Sequence, residues 1–325
     1  MRRALITGIT GMDGSHMADL LLEKGYEVYG MERHRSSGSD YTNISHILNQ
    51  ITLLKGDLAD TASLIKVVEQ AEPDEIYNFA AQSFVGDSWR MAEFTSNVTG
   101  LGALRLLEVI NEIAPGARFV QASTSEMFGK QEVDIADEST VFAPQSPYGI
   151  SKVFAHHMVE NYRQAYGLFA CASICFNHES ERRGIQFVTR KITHGVANIF
   201  TGRKSHIMLG NVLPRRDWGY APEYVEGIWR MLQQESPDDY ILATGESHSV
   251  ADFVRAAFAV LGVEDWKQYV MQDERFMRPV EVNYLRGNAQ KAKANLGWEP
   301  TTKFDALVRK MVENDLTLCD ERYHA

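Results

Sequence analysis

Short apolar segments alternate with amphipathic segments along the first half of the chain. Apolar runs of strand length occur at "RRALIT", "YEVYGM", "QITLL", "DEIYNFA" and "ARFVQAS". The intervening segments "HMADLLLEKG", "TASLIKVVEQA" and "TGLGALRLLEVINEI" have helical periodicity, with Leu101, Leu104 and Leu107 on the apolar face of the third. This alternation predicts an α/β fold with a doubly wound parallel sheet, whose ligands bind at the carboxyl ends of the strands.

The pattern changes after the strand-like segment "FACASICFN", which ends at Asn177. "NHESERRGIQFVTRK" is polar and basic, and "LGNVLPRRDWGY" has the composition of a loop. The helical "APEYVEGIWRMLQQ" and the strand-like "YILATG" are typical of a return to the first sheet. We therefore predict a first domain over residues 1–176 with a return segment near 217–245. A smaller C-terminal α/β domain is predicted over residues 177–325.

Composition and charge narrow the classes of function. The 325 residues carry a net charge of −10, which argues against a nucleic-acid partner but allows a local basic pocket for a small phosphate-bearing ligand. No apolar run reaches the ~18 residues of a membrane span, and the one after the basic start is too short for a signal peptide. The cysteines Cys171, Cys175 and Cys319 lack the pairing of a metal site, and the first two read as small core residues. We expect a cytoplasmic protein with no membrane partner and no metal.

A glycine-rich loop, "GITGMDG", follows the first predicted strand and precedes the first predicted helix. Gly8 permits a tight turn, Gly11 lets the backbone approach a pyrophosphate, and Gly14 allows close packing of helix on strand. The helix N-terminus offers amides to phosphates, and Asp13 is placed to cap it. The first domain is therefore predicted to be a Rossmann-type dinucleotide-binding domain, which leaves the second domain to bind the substrate.

The end of the second strand gives conflicting indications about which dinucleotide binds. Glu32, 18 residues after Gly14, is typical of NAD sites, since a carboxylate there bonds ribose hydroxyls and repels a 2′-phosphate. The cluster that follows, however, suits the 2′-phosphate of NADP. Its residues are Arg33, His34, Arg35, Ser36 and Ser37. The same cluster is also compatible with a solvated loop.

Two further loops lie where a dinucleotide passes in such folds. Asp57 and Leu58 follow the third strand, where the adenine ring usually lies. Ala80 follows the fourth strand, and its small side chain leaves room for the cofactor. Either loop could also have only a local structural role.

The fifth strand and the next helix carry the candidate catalytic residues. Tyr148 and Lys152 in "SPYGISK" are four apart and therefore neighbours on one helix face. A tyrosine with a pKa near ~10 is a poor base at neutral pH, but a nearby ammonium, helped by an oxidised nicotinamide, favours the phenolate. Lys152 can also hold the nicotinamide ribose. Thr124 in "QASTSEMFG" would donate a hydrogen bond to the same substrate oxygen.

Taken in order, "GITGMDG", "STSE" and "YGISK" resemble the extended short-chain dehydrogenase/reductase family. Glu126, two residues after Thr124, is an additional carboxylate that could remove a proton next to a carbonyl and help expel water. A solvated or helix-capping role is the structural alternative for this residue. Further stretches resemble the GDP-mannose 4,6-dehydratase family: "FNHESERRG", "FVTRKI", "RRDWGYAPEYVEGIW" and "RPVEVNYLRGN".

This resemblance implies a hydro-lyase of nucleotide-sugar metabolism that serves deoxysugar biosynthesis. GDP-mannose would become GDP-4-keto-6-deoxymannose plus water, with a hydride passing from C4 to the nicotinamide of NADP and then to C6. Tyr148 would take the proton of the 4-hydroxyl, and Glu126 would remove the C5 proton. The family also implies a homodimer or homotetramer.

The family's substrate contacts correspond to six positions of this chain, namely Ser83, Asn177, Lys191, Arg216, Arg278 and Glu281. The three basic residues would meet the diphosphate and nucleotide. Glu281 would bond ribose hydroxyls, and Asn177 would bond a phosphate or sugar oxygen.

The chain departs from the family pattern at several positions. Met12 replaces a usual glutamine, Glu32 a usual apolar residue, and Glu181 a usual proline, while residues 37–43 have their own sequence. These departures leave NAD possible and put a tetramer in question. Other hypotheses are a dehydratase of a related GDP-sugar such as a GDP-heptose, a nucleotide-sugar epimerase or reductase, and a dinucleotide-sensing binding protein.

Overall fold

A seven-stranded parallel sheet forms the centre of the computed structural model, which describes residues 1–34, 40–130 and 133–324. The strands are β1 (Arg3–Thr7), β2 (Glu27–Glu32), β3 (Thr52–Lys55), β4 (Glu75–Asn78), β5 (Arg118–Thr124), β6 (Ala170–Cys175), β7 (Asn177–Glu179), β8 (Ile207–Leu209), β9 (Arg215–Arg216), β10 (Trp218–Tyr220), β11 (Tyr240–Leu242), β12 (His248–Ser249) and β13 (Val270–Gln272). The order in the large sheet is β11-β6-β5-β4-β1-β2-β3, with parallel pairing throughout. The predicted doubly wound fold is confirmed.

Helices cover both faces of this sheet and also form a second layer beyond it. They are α1 (Met12–Glu23), α2 (Thr61–Ala71), α3 (Val85–Ser88), α4 (Ala92–Thr95), α5 (Gly102–Ile113), α6 (Pro147–Tyr166), α7 (Val188–Phe200), α8 (Ala221–Met231), α9 (Val250–Ala259), α10 (Gln290–Leu296) and α11 (Phe304–His324). Helices α7, α9 and α11 form the second layer. None of the helices in the described ranges is long and apolar enough to cross a membrane.

Alternation along each strand divides the core between the two faces. Ile6 of β1 packs with Leu21 of α1 and Ile228 of α8, whereas its neighbour Leu5 packs with Leu107 of α5 on the other face. Successive side chains of a strand point to opposite faces, so a strand buried on both sides is apolar throughout. This is why the sequence showed continuous apolar runs rather than alternation.

The strand order changes direction at β1, because later strands are added on both sides of it. Strands β2 and β3 extend the sheet on one side of β1, and β4, β5, β6 and β11 extend it on the other. The loops that leave the carboxyl ends of β1 and β4 therefore part from each other and open a crevice, which is where ligands bind in such sheets.

A second layer lies beyond this edge of the sheet. Its core joins α7, α9 and α11, with Trp218 of β10 packed between Phe253 and Phe304 at ring-centroid distances of 5.2 and 6.1 Å. Short strand pairs border it: β7 with β10, β9 with β12, and β8 with β13. The segment predicted as a loop over 209–220 thus contains β9 and β10.

The third predicted helix differs from the expected one at its start. Residues Ser96–Leu101 form a π-helical turn before α5 begins at Gly102. This turn rotates Leu101 out of the core, where it is 42% exposed, while Leu107 is buried. The prediction that Leu101 shares the buried face of Leu107 is therefore wrong.

Candidate active site

The glycine loop lies at the crevice and is as tightly packed as its spacing predicts. Gly8 has φ +70°, and a Cβ there would meet the backbone nitrogen of Ala80 at 2.9 Å. A Cβ on Gly14 would lie 2.3 Å from the Gly8 carbonyl oxygen. Gly11, which has no side chain, is the N-cap of α1, so the amides of its first turn face the crevice without a side-chain cap. This arrangement fits a dinucleotide pyrophosphate.

Asp13 does not cap this helix, which corrects the prediction made from its position. It is the second residue of α1, and its Oδ1 lies 2.9 Å from Nε2 of His178 in β7. Burial opposes ionisation of Asp13, but the charge of His178 and its hydrogen bond lower the pKa of the carboxyl to about 2. The carboxylate is therefore an ionised link between the glycine loop and the second layer.

The candidate catalytic pair Tyr148 and Lys152 lies in the first turns of α6. Ser146 caps this helix by accepting from the amide of Gly149 at 3.0 Å, and Pro147 occupies its first position. The Lys152 ammonium lies 5.7 Å from the centre of the Tyr148 ring and donates to the Ala122 carbonyl at 2.6 Å. Both side chains are buried.

Burial dominates the electrostatics of this pair. It raises the pKa of Tyr148 well above its ordinary value, and hydrogen bonding with Thr124 only partly opposes this. Burial also lowers the pKa of Lys152 to about 8. In the polypeptide alone, desolvation outweighs the neighbouring charges, and the prediction that the Lys152 ammonium, helped by an oxidised nicotinamide, favours the phenolate stays a prediction.

Glu126 lies at the end of β5 in a short 3₁₀ turn, Ser125–Met127, whose N-cap is Thr124. Its side chain is 7% exposed, and its charge also raises the pKa of Tyr148. The carboxylate Oε1 lies 3.7 Å from the guanidinium of Arg278 and 4.0 Å from that of Arg216. The buried position excludes the solvated role considered for Glu126.

Arg216, Arg278 and Glu281 form one ion cluster around that carboxylate. Oε1 of Glu281 lies 3.3 Å from Arg216 and 3.7 Å from Arg278. Arg216 also donates to the Val282 carbonyl at 2.7 Å, which fixes its guanidinium. Three residues that are distant in sequence from Glu126 thus meet it in space.

The other three predicted substrate residues form no hydrogen bond or ion pair with this ion cluster in the described part of the chain. Asn177 begins β7, and its buried Oδ1 has no hydrogen-bond partner among the described residues. The Lys191 ammonium lies over the ring of Phe276, 3.0 Å from its centre. Ser83 is exposed in the loop after β4, next to Phe84, whose ring lies 5.4 Å from that of Phe187.

The structure describes only part of the segment that is predicted to bind the adenosine half of the cofactor. Oε1 of Glu32 accepts from the Tyr41 hydroxyl at 2.9 Å and from the Lys55 ammonium at 2.5 Å. Arg33 is exposed beside it, whereas Arg35 and Ser36 lie outside the described residues. The Glu32 carboxylate is therefore engaged by two donors of the protein.

The loop after β3 is held by local contacts. Oδ1 of Asp57 accepts from the Ala59 amide at 2.9 Å, and Leu58 is buried against Gly102. Across the crevice, the Ala80 amide donates to the Thr7 hydroxyl at 3.1 Å.

Two residues of the site were missed by the sequence analysis. His178 holds Asp13, and the half-buried Arg183 donates to Glu179 at 2.6 Å with its guanidinium 4.6 Å from the Phe187 ring. The charge of Arg183 acts on Tyr148 by lowering its pKa. His178 and Arg183 both follow the end of a predicted strand, in the segment that begins with Asn177. That position at a strand end was the signal that could have identified them.

Comparisons with known proteins extend over nearly the whole chain. A family model described as GDP-mannose 4,6 dehydratase matches residues 5–311. GDP-mannose 4,6 dehydratase 1 of Arabidopsis thaliana is 47% identical over 327 residues, which cover 97% of this chain and 90% of that protein. The GDP-mannose 4,6 dehydratase of Homo sapiens is 45% identical, with 97% and 91% covered. The UDP-glucose 4-epimerase of Thermus thermophilus in complex with NAD has a TM-score of 0.84 at 25% identity, with 97% of this chain and 99% of that chain covered.

Proposed function

The chain belongs to the GDP-mannose 4,6-dehydratase family, and we propose that it removes water from GDP-mannose to give GDP-4-keto-6-deoxymannose. The observation that carries this activity in the site is the buried Glu126 carboxylate beside Tyr148. A reductase or epimerase needs a proton carrier only at C4, whereas elimination of water needs a second one at C5.

A nicotinamide cofactor, which the glycine loop of Gly8, Gly11 and Gly14 would hold, would supply the redox chemistry as a hydride acceptor for C4 and a hydride donor for C6. Tyr148 accepts the proton of the 4-hydroxyl, helped by the hydrogen bond with Thr124 that opposes the effect of burial on its pKa. Glu126 removes the proton of C5, which the 4-ketone acidifies, and transfers a proton to the departing 6-hydroxyl. The products are one water and a 4-keto-6-deoxy sugar whose C5 receives the proton that Tyr148 took from the 4-hydroxyl. Both side chains thereby return to their starting forms, and no second substrate is consumed.

We propose that the cationic side chains of the second layer bind the GDP moiety. Lys191, Arg216 and Arg278 surround the site, and the unpartnered Oδ1 of Asn177 is a free acceptor for a sugar hydroxyl. Ser83 and Glu281 complete the proposed contacts. In this division, residues 1–176 with 217–245 bind the cofactor, and residues 177–325 bind the GDP-sugar.

The cofactor that we propose is NADP. The Glu32 carboxylate, which would favour NAD, already accepts from Tyr41 and Lys55, and the adjacent Arg33 is exposed and available to a 2′-phosphate. We also assign Asp13, which lies at the glycine loop and is held by His178, to cofactor binding. Fluorescence titration of the protein with NADPH and NADH tests the choice. Tighter binding of NADPH is expected, and equal or tighter binding of NADH would make NAD the cofactor.

We also propose that the protein is a cytoplasmic homo-oligomer. Leu101, Ile150 and Phe154 are 42, 57 and 39% exposed, and they lie on the packed pair formed by α6 and the π-helical turn. A second copy of the chain would cover this apolar patch. The cysteines Cys171, Cys175 and Cys319 are free thiols, which is typical of a reducing compartment.

Isotope transfer tests the proposed reaction. With GDP-mannose deuterated at C4, the account predicts deuterium at C6 of the keto product. Deuterium that remains at C4 would indicate an epimerase, and deuterium lost to an external acceptor would indicate a simple dehydrogenase. The same experiment with a GDP-heptose shows whether a larger substituent at C5 is also accepted.

A further inference from the structure

Within the described part of the chain, Lys191 differs from the other cations of the site in having no anionic partner. Arg216 and Arg278 are both held by Glu126 and Glu281. Among residues 1–34, 40–130 and 133–324, by contrast, no carboxylate lies within ion-pairing distance of the Lys191 ammonium. Its partner is the face of Phe276, whose ring centre lies 3.0 Å from Nζ. A half-buried ammonium on an aromatic face keeps its charge available to an incoming anion.

Asp273, whose charge acts on Lys191, has a partner of its own. The Asp273 carboxylate is bound by Arg275 through Nε at 3.0 Å from both oxygens and through Nη2 at 2.6 Å from one of them. Asp273 and Lys191 interact electrostatically without forming an ion pair. The charge of Lys191 is therefore not neutralised by the segment that carries Phe276.

Phe276 is held in place through its backbone. Residues Glu274–Phe276 form a 3₁₀ turn capped by Asp273, and the Asp273 amide donates to the Leu209 carbonyl at 2.8 Å. The Phe276 carbonyl oxygen sits so close to Gly210 that a Cβ on that glycine would lie 2.4 Å from it. The side chain is 48% exposed, so its ring contributes little to the core. The ring is thus fixed at the site without being needed for folding.

We propose that Phe276 is a positioning residue for GDP binding, and that its ring holds the Lys191 ammonium ready for the diphosphate. The proposal rests on the proposed function, because Lys191 is assigned there to the GDP moiety. A flexible lysine side chain loses rotamer freedom when it binds an anion, and a ring that already restricts it reduces that loss. The same segment continues to Arg278, so one stretch of chain orients two of the three cations.

Calorimetric titration of the cofactor-bound enzyme with GDP tests this role. Phe276→Leu keeps the apolar volume and removes the aromatic face, and it is expected to raise the Kd for GDP roughly two- to fivefold. Phe276→Tyr retains the face and should bind GDP as the wild type does. Met277→Leu, at the neighbouring 42% exposed residue, is the matched control and should leave the Kd unchanged.

A double-mutant cycle separates positioning from direct contact. In a Lys191→Met background, Phe276→Leu should cause no further loss of GDP affinity, and in the wild-type background it should raise KM while leaving kcat unchanged. An equal loss in both backgrounds would show that the ring contacts GDP itself, and an unchanged Kd for Phe276→Leu would show no role; either result overturns the proposal. Failure of the wild-type enzyme to bind GDP would overturn the proposed function as well.

Discussion

Nε2 of His178 lies 2.9 Å from Oδ1 of Asp13, joining β7 to the first turn of the glycine-loop helix across 165 positions of sequence. The other ring nitrogen, Nδ1, lies 2.8 Å from the carbonyl oxygen of Phe176. Both nitrogens face acceptors, so both must carry a proton for the two bonds to form, and the imidazolium is the form that satisfies them. An ion pair therefore connects the proposed cofactor layer to the proposed substrate layer.

Asp13→Asn should lower the pKa of His178. Burial lowers this pKa, but the charge and hydrogen bond of Asp13 more than compensate, so the pKa lies above 6.5 in the native protein. Without the carboxylate, burial and the charge of Arg183 still lower the pKa, opposed by the hydrogen bond to the Phe176 carbonyl, so the pKa should fall below 6.5. The stabilisation from this ion pair is present below pH ~6.5 and is lost as the pH rises through the native pKa of His178.

NMR titration of the histidine side chains measures this shift. His16 serves as the internal control, because burial lowers its pKa to about 4 and it should stay neutral above pH ~5 in both proteins. An unchanged His178 titration in Asp13→Asn would mean that the pair does not hold the proton.

Glu126→Gln should abolish dehydration while leaving GDP binding intact. The amide has the same shape but cannot accept the C5 proton, so kcat should fall by roughly 10²- to 10⁴-fold. Glu264→Gln, at an exposed position, is the control and should keep full turnover. The turnover rates of both variants are measured by chromatography of the product. A Glu126→Gln variant that turns over at the wild-type rate would remove this residue from the mechanism.

Gly14→Ala should destabilise the fold and weaken cofactor binding together. Its Cβ would lie 2.3 Å from the Gly8 carbonyl oxygen and 2.7 Å from Cα of Ile9, so backbone must move. Overpacking of this kind costs about 1–3 kcal/mol. Gly116→Ala, where nothing lies within 4 Å, should leave the free energy of unfolding within ~0.5 kcal/mol of wild type or raise it slightly. Denaturant unfolding gives the free energy of unfolding of both variants, and titration with NADPH gives their cofactor affinity. Equal losses in Gly14→Ala and Gly116→Ala would show that close packing at Gly14 is not the cause.

Asp217 should make stability depend on pH in the direction opposite to most carboxylates. Burial raises its pKa to about 6, although it accepts from Thr244 and from the amides of Gly245 and Gly287. Between pH ~4 and ~6 the folded protein keeps a proton that the unfolded chain has released, so this group loses stabilisation as the pH rises through that window. The unfolding free energy of the wild type minus that of Asp217→Asn should therefore increase from pH 7 to pH 5. A difference that shrinks on acidification would contradict the argument.

The sequence pattern was sufficient for features whose cause is local. Helix α2 occupies Thr61–Ala71, the residues of the predicted segment, because its periodicity lies within the segment and its cap, Asp60, immediately precedes it. Much of the glycine loop was predictable for the same reason, since the positive φ of Gly8 and the close approach of Gly14 to the Gly8 carbonyl arise within the loop, although Ala80, which also excludes a side chain at Gly8, is distant in sequence.

Features that depend on tertiary contacts were not predictable from the pattern. Asp13 has the position of a capping residue, but its partner His178 comes from a distant strand. The pKa of Tyr148 is set by burial, which the spacing to Lys152 does not reveal. Leu101 is apolar and in phase with the helix, yet a π-helical turn exposes it.

The most direct test is mass spectrometry of GDP-mannose incubated with the purified, cofactor-bound protein and no added reductant. The account predicts a nucleotide sugar lighter by one water, formed over many turnovers because the hydride removed at C4 returns at C6. A product of unchanged mass with an inverted centre, or complete absence of conversion, would contradict the assignment of Glu126 and Tyr148 to a 4,6-dehydration of this sugar.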